Sequence, residues 1–198
     1  LALFVYPQIH LHFNDAQVKR LEDLKGMKIG TSSKTFAEIL ENLGAAPVSL
    51  TPADLYQSLS RGGVGGVGMQ WTGVLQFKVH EVTKYHLDVG LGSGSGFLMM
   101  NKEKFAALPP KAQAAFRKNS GYQVSRDFGE VMDRVAGEQY ETVSKTPGHV
   151  MATLDPKEKE HWAKLAEPVV TQWAKDTPDG DKVLAGYKAA VAKSRSKN

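Results

Sequence analysis

The chain has 198 residues, 25 Lys and Arg against 21 Asp and Glu, a net charge of +4, and no cysteine. That length can bury a core without covalent staples, and the lack of Cys excludes disulfides and thiolate metal sites. The basic excess gathers partly at Lys188, Lys193, Arg195 and Lys197. With no aromatic-rich basic stripe, it reads as a solvated helix end, and no nucleic-acid partner is expected. No run of about 18 apolar residues offers a membrane span. The chain opens Leu1-Ala2-Leu3 inside an apolar run, without an initiator Met or the charged start of a signal peptide. A processed, truncated or partly recorded N-terminus is therefore expected.

In chain order, Leu1 to Tyr6 and Ile9 to Phe13 read as extended segments broken at Pro7. A turn at Glu22 to Gly26 leads to a short strand over Met27 to Thr31. A helix is expected over Thr35 to Leu43, with capping-box spacing at Thr35 and Glu38. Its apolar face is Phe36, Ile39, Leu40 and Leu43, and Gly44 ends it. Pro47 to Leu50 is a strand. Thr51-Pro52-Ala53-Asp54 starts a helix with an N-cap hydroxyl, a proline at the first position and an acid in the first turn. That helix stops at Gly62 and Gly63, and Val64 to Met69 is a strand of small residues. Alternating strands and helices in this order predict a parallel sheet with crossover helices.

Glu81 to Val89 and Gly96 to Asn101 read as extended, joined by the flexible Gly92-Ser93-Gly94-Ser95-Gly96. Beyond Lys102 the chain is mostly helical. The pattern predicts one long helix over Lys111 to Lys145. Gly121, Gly129 and Gly137 inside it each cost about 1 kcal/mol against Ala, so bends or close packing are expected there. Val150 to Leu154 suits a strand. Asp155-Pro156 opens a further helix with Trp162, Leu165, Val169 and Trp173 on one side, and a last helix covers Asp181 to Lys193. The fold class is α/β: a mixed, mostly parallel sheet with crossover helices, then a largely helical C-terminal part. The expected units are an α/β ligand-binding lobe over 1–90, a hinge or crossing strand over 91–101, and long helices over 102–198 that complete the structure.

The chemical motifs argue for binding rather than catalysis. Gly63 to Gly68 spells G-x-G-x-x-G, with Asp88 twenty positions on, but a dinucleotide fingerprint must follow a strand and open a helix. Here it follows a helix, so a tightly packed, ligand-facing strand is the reading. Gly92 to Gly96 lacks the serine placement of a nucleophile elbow. His10 and His12 share a face of a strand, yet no third metal ligand is evident nearby. His80, His149 and His161 have no spacing that points to catalysis. No cofactor and no metal is expected. Trp71, with Gln70 and Thr72 beside it, can wall a pocket while its N–H finds a partner. Thr31 and Ser32 sit between a strand and a helix start, where hydroxyls and backbone N–H groups can meet an anion. Both groups lie at the C-terminal ends of expected parallel strands, where open α/β sheets bind ligands.

Five segments in register carry a family resemblance. Leu21-Glu22-Asp23-Leu24-Lys25-Gly26-Met27-Lys28-Ile29, Leu43-Gly44-Ala45-Ala46-Pro47-Val48, Leu55 to Gly66, His80-Glu81-Val82-Thr83-Lys84-Tyr85, and Met100-Asn101-Lys102 with Leu108-Pro109 resemble the solute-binding subunits of TRAP transporters, the DctP-type family. The resemblance implies a periplasmic, two-lobed, hinge-closing binder. It would capture a small organic acid without transforming it and deliver it to membrane permease subunits. It implies further that most of a first lobe precedes Leu1, and a chain short of one lobe is expected to be prone to self-association. At Gly30 the family usually carries an Arg that clamps the ligand carboxylate. The resemblance then implies either a ligand not held as a typical carboxylate or another group in place of the Arg, with Lys34 the local candidate, a point charge rather than a planar fork. The ligand-binding residues expected from the residues and the resemblance together are Trp71, Gln70, Thr72, Thr31, Ser32 and His12.

Overall fold

A computed structural model describes residues 1–195, so Lys197 lies outside the described residues. The elements run β1 (Ala2–Val5), β2 (Ile9–Phe13), β3 (Lys28–Thr31), α1 (Lys34–Asn42), β4 (Ala46–Ser49), α2 (Pro52–Ser60), β5 (Gly66–Gln70) and α3 (Trp71–Val74). They continue through β6 (Tyr85–Asp88), β7 (Ser95–Leu98), α4 (Lys102–Ala106), α5 (Pro110–Lys118), α6 (Tyr122–Ser144), β8 (Val150–Thr153), α7 (Pro156–Asp176) and α8 (Gly180–Arg195). Six strands form one sheet in the order β4-β3-β5-β2-β6-β8, while β1 and β7 pair as a separate ribbon. β3 is parallel to both β4 and β5, and β6 is parallel to β8. β2 is antiparallel to both β5 and β6. Five strands therefore point one way and β2 alone points the other. The expected mixed, mostly parallel sheet with crossover helices is present.

The sheet is covered on both faces. Leu11, Phe13 and Ile29 pack with Phe36 and Leu40 of α1 and with Trp162 of α7 in one core. Leu55, Val67, Trp71 and Val74 pack with Val143 of α6 in the other. Period-2 alternation explains the split: β2 turns Ile9, Leu11 and Phe13 to the first core, which leaves His10 and His12 for the opposite face. Two glycines of β5 make the first core possible. A Cβ at Gly66 would overlap the Phe13 ring, and one at Gly68 would overlap the Phe36 ring. Gly68→Ala is expected to cost about 1–3 kcal/mol, as an overpacked core does, despite the entropy it removes from the unfolded chain. A urea midpoint unchanged from the parent would contradict that packing.

Several sequence expectations need correction. The N-cap of α1 is Ser33, whose Oγ accepts from Phe36 N, and not Thr35. Thr51 precedes α2 as expected, but its hydroxyl donates to the Asp54 carboxylate rather than capping the helix backbone. The extended segment over Glu81 to Val89 shortens to β6, because Val79–Glu81 is a single helical turn. The long helix is broken between α5 and α6, where Gly121 takes φ +90°, a conformation that L side chains rarely adopt. Gly129 and Gly137 do lie inside α6, but a Cβ at either would meet nothing within 4 Å, so they are not sites of close packing. On α7, Trp162 is fully buried while Trp173 is 43% exposed. Among the described residues, no helix is long and apolar enough to cross a membrane.

Candidate functional site

β3 and β5 end side by side, and the segments leaving the two strands form the walls of a cavity of about 560 Å³. Ser32 enters from the turn between β3 and α1. Gln70 closes β5, and Thr72 and Gln76 come next, on and just after α3. Leu55 of α2, Met69, Phe77, and Met132 and Val135 of α6 supply an apolar body, and Tyr6 closes one side. None of the lining side chains is charged. Among the described residues, the side chains of Ser32, Gln70, Thr72 and Gln76 have no hydrogen-bond partner in the protein, while Thr31 and Ser33 next to them are engaged in shaping the turn. Thr31 Oγ1 accepts from Ser33 N at 3.1 Å. The volume, the apolar body and the few free polar groups are those of a small-molecule site.

One residue of α6, Gln139, hydrogen-bonds the α3 segment at two points. Gln139 Nε2 donates to the Thr72 carbonyl at 3.0 Å, and its Oε1 accepts from Leu75 N at 2.9 Å. Gln139→Ala leaves both backbone groups half-buried and unpaired, and is expected to cost about 1–3 kcal/mol. Gln139→Glu can keep the bond from Leu75 N but cannot donate to Thr72 and should fall between. Equal urea midpoints for all three proteins would contradict this positioning role.

The structure gathers three of the expected site residues, Ser32, Gln70 and Thr72, around the cavity. It places the other three elsewhere. Thr31 is buried as part of the turn. Trp71 is buried with its Nε1 unpaired in the protein. Its ring stands edge-on to His12 at 4.8 Å and to Tyr140 at 5.1 Å between centroids. His12 is fully buried, with Nε2 3.2 Å from the Met69 carbonyl and Nδ1 2.9 Å from His86 Nδ1. His10 Nδ1 is 2.6 Å from Asp88 Oδ1, and this contact holds the Asp88 carboxyl below its usual range. Among the described residues, no group of three or more His, Cys, Asp or Glu is arranged to hold a metal ion. Lys34 is exposed and lies 3.9 Å from Glu38, outside the cavity.

Gly30 is closely packed. A Cβ there would lie 2.9 Å from Leu55 Cδ2, 3.1 Å from Leu50 Cδ1 and 3.2 Å from Val67 Cγ1. Leucines of α2 and of the β4–α2 turn thus fill the space beside β3 that a larger side chain would need. Sequence reasoning did not find Leu55, Phe77, Met132 or Val135. Leu55 lies on α2, Phe77 in the turn after α3, and Met132 and Val135 on α6, and nothing in a single sequence says that they meet around a void.

The family model for DctP, bacterial extracellular solute-binding protein family 7, matches residues 8–176. The chain belongs to the DctP family. It is 25% identical over 173 residues to the C4-dicarboxylate-binding periplasmic protein DctP of Rhodobacter capsulatus, covering 86% of this chain and 51% of that protein. It is 28% identical over 202 residues to the outer membrane transporter protein TsaT of Comamonas testosteroni, covering 98% of this chain and 59% of that protein. A TRAP solute binding protein from Rhodoferax ferrireducens, solved with copurified benzoate, superposes with a TM-score of 0.93 at 28% identity, over 100% of this chain and 64% of that one. A marine metagenome TRAP solute binding protein specific for aromatic acid ligands, solved with 3-hydroxybenzoate, gives 0.91 at 25% identity, over 98% of this chain and 62% of that one. The chain spans less than two thirds of the length of each of these relatives. Its α/β architecture is that of TRAP periplasmic binding proteins.

Proposed function

We propose that this DctP-family chain forms part of a periplasmic binder that captures a small monocarboxylate with an aromatic-sized apolar body and passes it, unchanged, to the permease subunits of a TRAP transporter. The observation that carries this reading is the cavity: an apolar body, four unpaired hydrogen-bonding side chains and no charged lining. Hydroxyl and amide donors of Ser32, Gln70, Thr72 and Gln76 would hold the carboxylate, with Leu55, Phe77, Met132 and Val135 around the ring. Gly30, packed under Leu55 and Leu50, leaves no room for a clamping side chain at that point. The relatives that hold benzoate and 3-hydroxybenzoate support an aromatic acid over a C4-dicarboxylate.

Capture would proceed by hinge motion over 91–101. Two connections cross side by side between the six-stranded sheet and the β1–β7 ribbon, tied by Tyr6 N to Gly94 O and Ile9 N to Gly92 O, both at 2.8 Å. Thermal shifts with benzoate, 3-hydroxybenzoate and succinate test the ligand class. Benzoate at 100 times its Kd should add about 2.7 kcal/mol of stability. Stabilisation by succinate with none by either aromatic acid would overturn the assignment.

One observation favours a second reading, self-assembly of the chain. The β1–β7 ribbon and its surroundings expose Leu3, Val5, Phe97, Leu98, Met99 and Tyr122, with Tyr122 at 83% and Met99 at 73%. Leu3, Val5 and Phe97 share one face of the ribbon, since Leu3 pairs with Phe97 in register, and exposed apolar surface of this kind marks interaction sites. Light scattering that returned a monomer at high concentration would remove this reading.

A further inference from the structure

Three imidazoles form a hydrogen-bonded chain across the central sheet. His12 Nε2 lies 3.2 Å from the Met69 carbonyl, His12 Nδ1 lies 2.9 Å from His86 Nδ1, and His86 Nε2 lies 2.9 Å from His149 Nδ1. A carbonyl only accepts, so His12 Nε2 carries a hydrogen. Burial, and then the neighbouring His86, hold His12 well below the ordinary imidazole range, so it is neutral near pH 7. A neutral imidazole has one N–H. His12 Nδ1 is then an acceptor, and His86 Nδ1 must donate to it. Neutral His86 in turn accepts at Nε2, so His149 Nδ1 donates. One backbone carbonyl thereby fixes the tautomers of three histidines on β2, β6 and the turn before β8. His149, half-buried at the outer end, keeps Nε2 as its basic atom.

Counting hydrogens gives the consequence. One added proton on His149 Nε2 leaves every contact as it was. One added proton on His86 is also accommodated, because His149 can carry its own hydrogen on Nε2 and accept at Nδ1. With both His86 and His149 protonated, two N–H groups face each other at the same 2.9 Å contact, and that contact must open. We infer that the His12–His86–His149 chain is a proton-counting latch: it keeps the edge strand β8 fastened to the sheet with one added proton and releases it on the second.

The surrounding groups sharpen this response. His80, in the turn before β6, opposes positive charge on both His86 and His149. His10 on β2 opposes it on His12, and its own partner is the Asp88 carboxylate of β6, which also feels Lys159 of α7. From α3 and α6 the chain meets the uncharged rings of Trp71 and, behind it, Tyr140. The fastening at stake begins where Val150 N donates to the Lys84 carbonyl at 2.8 Å, one residue beyond His149. At its inner end the chain grips the carbonyl of Met69, a cavity-lining residue. The device thus joins the surface to the cavity wall.

Imidazole nitrogen NMR on the chain, titrated from pH 8 to pH 3 without ligand, tests the inference together with hydrogen exchange at Val150. At pH 8, His12 should be the Nε2–H tautomer, and His86 and His149 the less common Nδ1–H tautomer. Protection of the Val150 amide, corrected for intrinsic exchange, should persist through the first proton uptake and fall roughly tenfold per pH unit through the second. In His149→Ala the second step should vanish, and Val150 protection should lose its pH dependence. If that variant does not fold, the tautomers of the parent decide. An Nε2–H tautomer at His86 or His149 at pH 8, or Val150 protection unchanged through both uptakes, would overturn the latch.

Discussion

Trp162→Ala is expected to cost about 3–5 kcal/mol, the range for removing a fully buried large aromatic side chain. The ring has no exposed surface and joins α7 to the core formed by α1 and the sheet. Its Nε1 also donates to Glu158 Oε2 at 3.1 Å, and the same oxygen accepts from Leu21 N at 3.1 Å. Truncation therefore opens a void and unsettles the contact that ties the segment before β3 to α7. Single domains hold only about 5–15 kcal/mol in reserve, so the urea midpoint should fall by a large fraction. Trp173→Ala is the control. That ring is 43% exposed, and the change should stay within about 1 kcal/mol. Equal losses in the two variants would contradict the assignment of the core face of α7.

The second large effect is acid destabilisation through the buried histidines. Burial, followed by the neighbouring His149 and His80, lowers the His86 pKa from 6.5 to about 4. Linkage sets the sign. The unfolded chain takes up the proton below about pH 6.5, while the folded chain resists until about pH 4, so the unfolded state binds more protons in between. Stability is complete above pH 6.5, declines as the pH falls through that window, and levels off below it. The span corresponds to about 3 kcal/mol for His86, and His12 shifts in the same direction. Urea unfolding at pH 7.5 and at pH 4.5 measures it, with His86→Gln expected to flatten the dependence. A chain that gained stability on acidification would contradict the buried, neutral assignment.

Much of the fold was legible because its signals are local. The apolar spacing of Phe36, Leu40 and Leu43 set the buried face of α1, and Gly44 with φ +84° ended it as expected. The β3-α1-β4-α2-β5 alternation implied the parallel pairing that is found. Cap chemistry was harder to read because hydroxyls compete. Ser33 and Thr35 both precede the first apolar residue of α1, and backbone geometry chose Ser33. The Trp162–Trp173 spacing is helical, but α8 covers the end of α7 and begins at Gly180, packed against Ala174 rather than Trp173.

The site divides along the same line. Ser32, Gln70 and Thr72 could be placed at the cavity because strand C-termini are local features of sequence order. The histidine chain could not be found that way. His12 meets His86 only because β2 inserts between β5 and β6, with His12 opposite His86 in register. That strand order is a tertiary result. Gly30 shows a further limit: its missing side chain was visible in the sequence, while the leucines that fill the space became visible only once α2 was packed against β3.

In the proposed function, the cavity at the ends of β3 and β5 receives an aromatic monocarboxylate. Amide chemical-shift mapping of the ¹⁵N-labelled chain titrated with benzoate tests this most directly. The cavity assignment predicts saturable shifts concentrated at Ser32, at Gly68 to Gly73 and at Gln76, with little change along α7 and α8. Shifts centred on those helices, or none around the cavity at saturating benzoate, would contradict it.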